Sequence, residues 1–298
     1  MAYGQNQLAS RLSYRGLRKQ VSQQPLTDEQ IISVAPSIFA EDKHESRSAR
    51  YTYIPTHQVL VGLRKEGFHP FHVAQSGTRV EGKEGFTKHF IRLRHETQIE
   101  KARYLDRRTD ACNEIIIVNS HDGSCGYQML AGCFRFVCQN GLICGDVVED
   151  LRIRHSGNVI EAVVEGAYTI LNQFGRVDAC RESFQTLQLT DGEQRAFAIA
   201  AAEFRFADAV EQNQPLPVTP DQIIEARRVE DVGNDLWRTF NRAQENLVDG
   251  GLRKQVNPRR REFTRGVKSI EGNVTLNRAL WRLAEEMQKL KTGAAVTA

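Results

Sequence analysis

The chain has no long apolar run, and this absence limits where the protein can work. In 298 residues, no stretch approaches the roughly 18 to 20 apolar residues that a membrane-spanning helix needs. The first residues, MAYGQNQLASRLSYRG, lack the hydrophobic segment of a secretion signal. The sequence therefore predicts a cytoplasmic protein that does not act in a membrane.

The chain also lacks a large excess of positive or negative residues. The 40 Lys and Arg residues face 37 Asp and Glu residues, which leaves a net charge of only +3. Because the total is so small, any electrostatic function must come from where the charges lie along the chain.

Closely spaced metal ligands are missing as well. No CxxC, HxxxH or HExxH spacing occurs. In a reducing cytoplasm the cysteines should be free thiols, and a free thiol among apolar neighbours packs like a small hydrophobic residue. The sequence thus predicts no metal, no other cofactor, and thiols that mainly fill the core. These thiols are Cys112, Cys125, Cys133, Cys138, Cys144 and Cys180.

The apolar pattern of the first half predicts a sheet with packing helices. Thr27 has the form of a capping box that opens a helix, and a second helix is expected over 57–66. Alternation over 68–94 predicts a two-stranded hairpin with a long charged tip, and the unbroken run 115–118 predicts a central strand. Residues 127–137 could form a strand or a helix.

The second half has helical spacing almost throughout. We predict helices over 159–174, 191–208, 220–229, 235–248 and 275–291. The fold class is therefore α+β, with an N-terminal antiparallel sheet followed by a mainly helical half. We divide the chain into a mobile basic arm (1–26), an α+β core domain (27–150) and a helical region (151–298) with a basic loop over 252–268.

Several phrases of the sequence resemble one family. Three of them lie in the first half: NEIIIVNSHDGSCGYQMLAGCFRFVCQNGLICGD (113–146), FAEDKHESRSARYTYIPT (39–56) and KHFIRLRH (88–95). Two more lie in the second half, NDLWRTFNRAQENL and TLNRALWRLAE. Together they are similar to the YfjQ/YafZ/YubP family of prophage- and plasmid-borne proteins, a domain-of-unknown-function group. The resemblance implies a mobile genetic element and no particular activity. By fold-level analogy alone, the order of elements is similar to that of Rad52-like and Red-beta-like annealing proteins.

Basic and aromatic residues are interleaved along the predicted hairpin. Lys and Arg can follow the phosphates of a nucleic acid, while aromatic rings stack on unpaired bases. Alternate residues of a strand share a face, so Lys88, Arg92 and Arg94 should project together. The alternative is that the aromatic rings lie in the core and the charges form an ordinary solvated face. The predicted contacts in this region are Arg64, Lys65, Lys88, Phe90, Arg92 and Arg94.

The most basic window of the chain is LRKQVNPRRREFTRGVK, over 252–268. It holds seven Lys or Arg residues against one Glu, with Arg259, Arg260 and Arg261 at its centre. We predict a second set of phosphate contacts there. A disordered linker between two helices is the alternative.

The turn at His121 and Asp122 is the best catalytic candidate. A His beside an Asp at the end of a buried strand could hold an acid or a base near a substrate. However, adjacent residues of an extended chain point to opposite sides, and Asn, Asp, Ser and Gly are ordinary turn formers. A structural turn is the favoured interpretation.

Arg135 interrupts the apolar stretch GCFRFVC. It either faces the surface or is buried beside a carboxylate, such as that of Glu114 or Asp146.

Three hypotheses for function follow. The first is a non-enzymatic protein that binds single-stranded DNA or RNA, promotes strand annealing in recombination or repair, and assembles as a homo-oligomeric ring or filament. The second is an enzyme that processes nucleic acid with His121 and Asp122. The third is an interaction protein that modulates a host defence or replication factor through its helical half. The first is favoured because two separate basic windows suit a polyanion better than a small substrate.

Overall fold

An antiparallel sheet forms the centre of the N-terminal half. A computed structural model describes residues 17–48, 51, 53–106, 111–136, 141–143, 159–255 and 261–293. The sheet has six strands, and their order across the sheet is their order along the chain. The strands are β1 (Arg18–Val21), β2 (Phe68–Gln75), β3 (His89–His95), β4 (Ala111–Asn119), β5 (Gln128–Arg135) and β6 (Gly141–Ile143).

The predicted hairpin and central strand are confirmed. β2 and β3 pair antiparallel, with a register shift between Pro70 and His72. β4 pairs with both β3 and β5, so its apolar run lies inside the sheet. The segment that could have been a strand or a helix is strand β5.

The first strand corrects the prediction of a mobile arm. β1 pairs with β2 from Arg18 opposite Gln75 to Val21 opposite His72. Leu26, a few residues later, is only 2% exposed. Because the outer edge of β2 has backbone groups that need partners, the basic segment is held as an edge strand from residue 18 onward. Residues 1–16 lie outside the described ranges.

Helices make up most of the second half, as predicted. The helices are α1 (Asp28–Val34), α2 (Thr56–Lys65), α3 (Glu96–Ala102), α4 (Val159–Asn172), α5 (Phe174–Thr186), α6 (Asp191–Arg205), α7 (Ala207–Glu211), α8 (Pro220–Ile223), α9 (Leu236–Asp249) and α10 (Ile270–Thr292). The capping box of Thr27 and Gln30 is present at the start of α1. α3 and α5 were not predicted, and α8 is shorter than the helix expected over 220–229. The α+β class is thus confirmed.

The two faces of the sheet are covered by different parts of the chain. On the first face, Ile91, Ile115 and Met129 belong to one large apolar cluster that also contains residues of the helical half such as Trp281. On the second face, a smaller cluster includes Ala74, Phe90, Ile116, Val118, Leu130, and Ile270 and Val274 of α10. The helical half therefore contributes to the core on both sides of the sheet.

The described cysteines are free thiols. Cys112 and Cys133 are buried, as predicted, whereas Cys125 and Cys180 are partly exposed. Cys138 and Cys144 lie outside the described residues.

Candidate nucleic-acid interface

Arg92 and Arg94 lie inside the molecule. They are 1% and 4% exposed, and both donate to the fully buried carboxylate of Glu114. The distances are 3.0 Å from Arg92 Nη1 to Oε2 and 2.7 Å from Arg94 Nε to Oε1. The two arginines share a strand face, as their spacing predicts, but it is the covered second face. This corrects their assignment as contacts for a strand along the protein surface, because side chains this deeply buried do not project from that surface.

The other predicted contacts of the hairpin region are mostly engaged within the protein. Phe90 is 8% exposed and belongs to the core of the second face, which confirms the alternative for this ring. Lys88 Nζ lies 2.9 Å from Glu271 Oε2, and Arg64 Nη1 lies 2.6 Å from Asp28 Oδ1. Lys65 is exposed at the end of α2. Within the described residues, this region forms no continuous basic groove.

The second basic window folds as a small two-stranded ribbon. β7 (Gly250–Arg253) and β8 (Phe263–Arg265) pair antiparallel, with Arg253 opposite Phe263 and Gly250 opposite Arg265. The backbone N–H of Lys254 donates to the carbonyl of Glu262 and continues the pairing. The alternative of a disordered linker is therefore wrong for the described part of this window. Arg259 and Arg260 lie outside the described residues.

One surface of this ribbon combines an aromatic ring with positive charge. Phe263 and Arg265 are exposed on either side of buried Thr264, and Arg253 is exposed on the neighbouring strand. The guanidinium carbon of Arg261 lies 6.0 Å from the centroid of the Phe263 ring, which is 47% exposed. We call Arg253, Arg261, Phe263 and Arg265 the ribbon surface. An exposed ring beside several arginines can stack on an unpaired base while the cations contact its phosphates.

A cleft of about 470 Å³ lies next to the ribbon. It is formed by the end of α6, the residues that follow β8, and the first turns of α10, and it includes Phe204, Arg205 and Lys268. Phe204 is 52% exposed. Arg205 Nη2 donates to the carbonyl of Arg265 at 2.8 Å, which joins the cleft to the ribbon. A strand lying on the ribbon surface could therefore continue along this cleft.

The turn at His121 and Asp122 does not hold a catalytic pair. Asp122 Oδ1 accepts from the backbone N–H of Ser124 at 2.9 Å, which closes the turn at Gly123. His121 is fully buried and points inward, with Nε2 3.3 Å from Thr56 Oγ1. The carboxylate and the imidazole thus serve different parts of the structure, and the geometry supports the structural turn.

His121 belongs to a buried polar cluster that the sequence did not reveal. Thr56 Oγ1 also lies 2.9 Å from His89 Nε2, and Ser37 Oγ lies 2.9 Å from His89 Nδ1. Burial lowers the pKa of His89 to about 3 and that of His121 to about 4, so both rings are neutral at pH 7. Asn119 Nδ2 donates to Thr56 at 2.9 Å. Four separate segments supply these side chains, and no spacing in the sequence indicates that they meet.

Arg135 is buried, which is one of the two alternatives predicted for it, but its partner is not one of the predicted carboxylates. Its Nη2 lies 2.7 Å from Asp231 Oδ1, and both side chains are at most 3% exposed. Glu114, one of the predicted partners, is engaged by Arg92 and Arg94. The other, Asp146, lies outside the described residues.

The described residues form neither a metal-binding cluster nor a membrane-spanning helix. In the described ranges, no three His, Cys, Asp or Glu side chains come together to hold a metal ion. None of the described helices combines the length and apolar character that crossing a bilayer requires.

Comparison with known proteins gives a family and no activity. The model of the domain of unknown function DUF932 matches residues 43–281. Two relatives from Escherichia coli K12, the UPF0380 proteins YafZ and YfjQ, are each 47% identical over 280 residues, covering 94% of this chain and 97% of the relative. No solved structure matches the chain. The analogy with annealing proteins therefore stays a prediction.

Proposed function

The chain belongs to the DUF932 family, and because that name carries no activity, we propose a function from surface chemistry alone. The protein binds single-stranded nucleic acid through the ribbon surface. The observation that carries this proposal is the exposed Phe263 ring with Arg253 across the ribbon, Arg265 beside it and Arg261 within 6.0 Å of its centroid.

The combination favours an unpaired strand over a duplex. Arginines can contact the phosphates of either form, but a ring can stack on a base only where that base is unpaired. The cleft beside Phe204 and Lys268 extends the contact area. None of these groups is specific for deoxyribose or ribose. The proposal therefore covers both DNA and RNA, and binding experiments with each decide between them.

Strand annealing in recombination or repair, within a mobile genetic element, is the biological role we propose for this binding. A protein that neutralises phosphates while leaving bases accessible lowers the repulsion between two complementary strands. Assembly of several chains into a ring or filament would extend the binding surface along a strand. Light scattering with and without a single strand tests this assembly.

The first test is binding of labelled single strands and duplexes, of DNA and of RNA, by fluorescence anisotropy across a salt series. We expect single strands to bind more tightly. Replacing Arg253, Arg261 and Arg265 by Ala removes three phosphate contacts and should reduce the salt slope by about 2, at roughly 0.7 per contact.

A matched control separates a local effect from a change in net charge. The control replaces three exposed cations outside the ribbon, Arg79, Arg176 and Lys289, by Ala and loses the same charge. Its salt slope should stay close to that of the unmodified protein. Equal losses in both variants, or no binding of single strands at low salt, would contradict the proposal and direct the search to a protein partner.

A further inference from the structure

A second candidate site is a pocket that opens to solvent and shares no residue with the ribbon surface. A cavity of about 170 Å³ opens beside the second face of the sheet, between α3 and the segment that joins β1 to α1. Its lining combines apolar and polar side chains. The apolar ones are Pro25, Phe71, Ile99, Ala102, Phe134 and Phe136, and the polar ones are Ser22, Gln23, Gln24, Arg94 and Arg103.

Arg94 supplies the charged group of this cavity. Phe71 and Phe134 lie against its guanidinium group, whose central carbon is 4.3 Å and 4.7 Å from their ring centroids. Phe136 is a third ring, at 5.5 Å. Aromatic rings thus enclose the guanidinium and leave only limited directions for its hydrogen bonds.

The terminal nitrogens of Arg94 are available to a ligand. Its Nε donates to Glu114 at 2.7 Å. With the described residues, Nη1 and Nη2 form no hydrogen bond. Neither atom is among the unpaired polar atoms that are fully buried, so both reach accessible space. The side chain as a whole is only 5% exposed, and the cavity is the space that it lines.

The charge around the cavity is positive. Arg94, whose Nε is paired with Glu114, is one of the cations that line it. Arg103, an exposed residue, adds a further cation to the cavity lining. A buried guanidinium with open donors is costly unless an acceptor meets it, and an anion is the acceptor that suits this charge.

We propose that this cavity binds a small monocarboxylate with an apolar, ring-shaped body. The carboxylate accepts two hydrogen bonds from the terminal nitrogens of Arg94, and the body packs against the phenylalanine rings. The volume is about six times the share of one water molecule in the liquid, which is room for a ring with a carboxylate.

Isothermal titration calorimetry with benzoate tests the proposal, and benzamide serves as a neutral ligand of similar shape. We expect benzoate to bind at least about tenfold more tightly than benzamide, because only benzoate is an anion. Arg94→Gln should weaken benzoate binding by about tenfold or more and abolish the difference between the two ligands.

A second variant keeps the test valid if loss of Arg94 disturbs folding. Ala102→Leu fills the cavity from α3 and leaves the ion pair in place, and it should also abolish benzoate binding. Ala179→Leu adds the same bulk at an exposed position of α5 and should bind benzoate normally.

Three outcomes would overturn the inference. These are equal affinity for benzoate and benzamide, unchanged benzoate binding by Ala102→Leu, and no binding to the unmodified protein at about 10 mM benzoate. Because the cavity and the ribbon surface have no residue in common, Ala102→Leu should retain its affinity for a single strand.

Discussion

At the scale of the residue, the exposed ring of Phe263 supplies the base-stacking part of the ribbon surface. We expect Phe263→Ala to weaken single-strand binding by about 1 to 3 kcal/mol, the usual contribution of one stacked base. The salt slope should not change, because the ring carries no charge. Anisotropy measured at several salt concentrations separates the two quantities.

The control for Phe263 is another exposed apolar side chain. Leu290, in the last turns of α10, is 74% exposed, and Leu290→Ala should leave binding unchanged. A similar loss in both variants, or a changed salt slope in Phe263→Ala, would mean that the ring does not stack on a base.

Buried histidines are a second feature at this scale, and they make the fold sensitive to acid. Burial holds the pKa of His89 at about 3 and that of His121 at about 4, against an ordinary value near 6.5. Below pH 6.5 the unfolded chain therefore binds more protons than the folded one. The stabilisation is complete above about pH 6.5 and is lost as pH falls toward about 4 and then 3.

Urea unfolding at a series of pH values measures this dependence. The free energy of unfolding should fall on acidification, and His89→Gln should make the fall shallower because one depressed group has been removed. His69 is a suitable control, since it lies beside Glu96 near the surface. If His69→Gln changed the pH dependence as much as His89→Gln, the buried cluster would not be its cause.

At the scale of the element, the ribbon depends on one glycine. Gly250 has φ +70°, and a Cβ there would lie 2.6 Å from the carbonyl carbon of Arg265 and 2.7 Å from the nitrogen of Gly266. Both contacts are to backbone, so a side chain can be accommodated only if the strands move apart. We expect Gly250→Ala to separate Arg253 from Phe263 and to lower single-strand affinity by about tenfold.

Gly251 provides the comparison for Gly250. It also has a positive φ, of +79°, but nothing lies within 4 Å of its Cβ position. Gly251→Ala should therefore cost some stability through the backbone and lower the affinity much less. Equal affinities for the two variants, measured by anisotropy, would show that the ribbon geometry does not determine binding.

The elements differ in how well the sequence predicts them. The helix over 159–174 and the cap at Thr27 were predicted because their apolar spacing and capping groups are local. α5 was missed since its fully buried residues, Phe174, Val177 and Phe184, are too few to form a clear apolar stripe. α3 has no fully buried residue at all, so its sequence carries no periodic apolar pattern.

The residues of the candidate site were likewise predicted only as far as local spacing allows. Even spacing on β3 correctly predicts that Arg92 and Arg94 share a face. Whether that face is exposed depends on distant residues: Ile270, more than 170 positions later, lies near Arg92, and Phe134 lies against Arg94. The window over 252–268 was correctly identified as basic, but the pairing that exposes Phe263 is a tertiary property.

At the scale of the whole molecule, a buried ion pair joins the sheet to the helical half. Arg135 ends β5, and Asp231 lies in the 3-10 turn Val229–Asp231 before α9. Removing one member leaves an uncompensated buried charge, so Arg135→Met should lower the free energy of unfolding by about 3 to 5 kcal/mol. Adding Asp231→Leu should recover part of that loss.

The same experiment examines whether the two halves unfold together. One apolar cluster contains residues of both halves, so tryptophan fluorescence and far-UV circular dichroism should report one urea transition. Trp237 and Trp281 are both in the helical half, while the dichroism reports the whole chain. Two separate transitions would show that the halves are independent domains.

The order of strands has a consequence for synthesis. Each strand of the six-stranded sheet pairs with the strand that precedes it in the chain, so the sheet can grow as the polypeptide leaves the ribosome. One face of this sheet, however, is covered late. Its residues Ile116, Val118 and Leu130 pack with Ile270 and Val274, which are synthesised only near the end of translation. Until then the nascent chain should expose an apolar sheet surface, and we expect chaperones that act during translation to bind it.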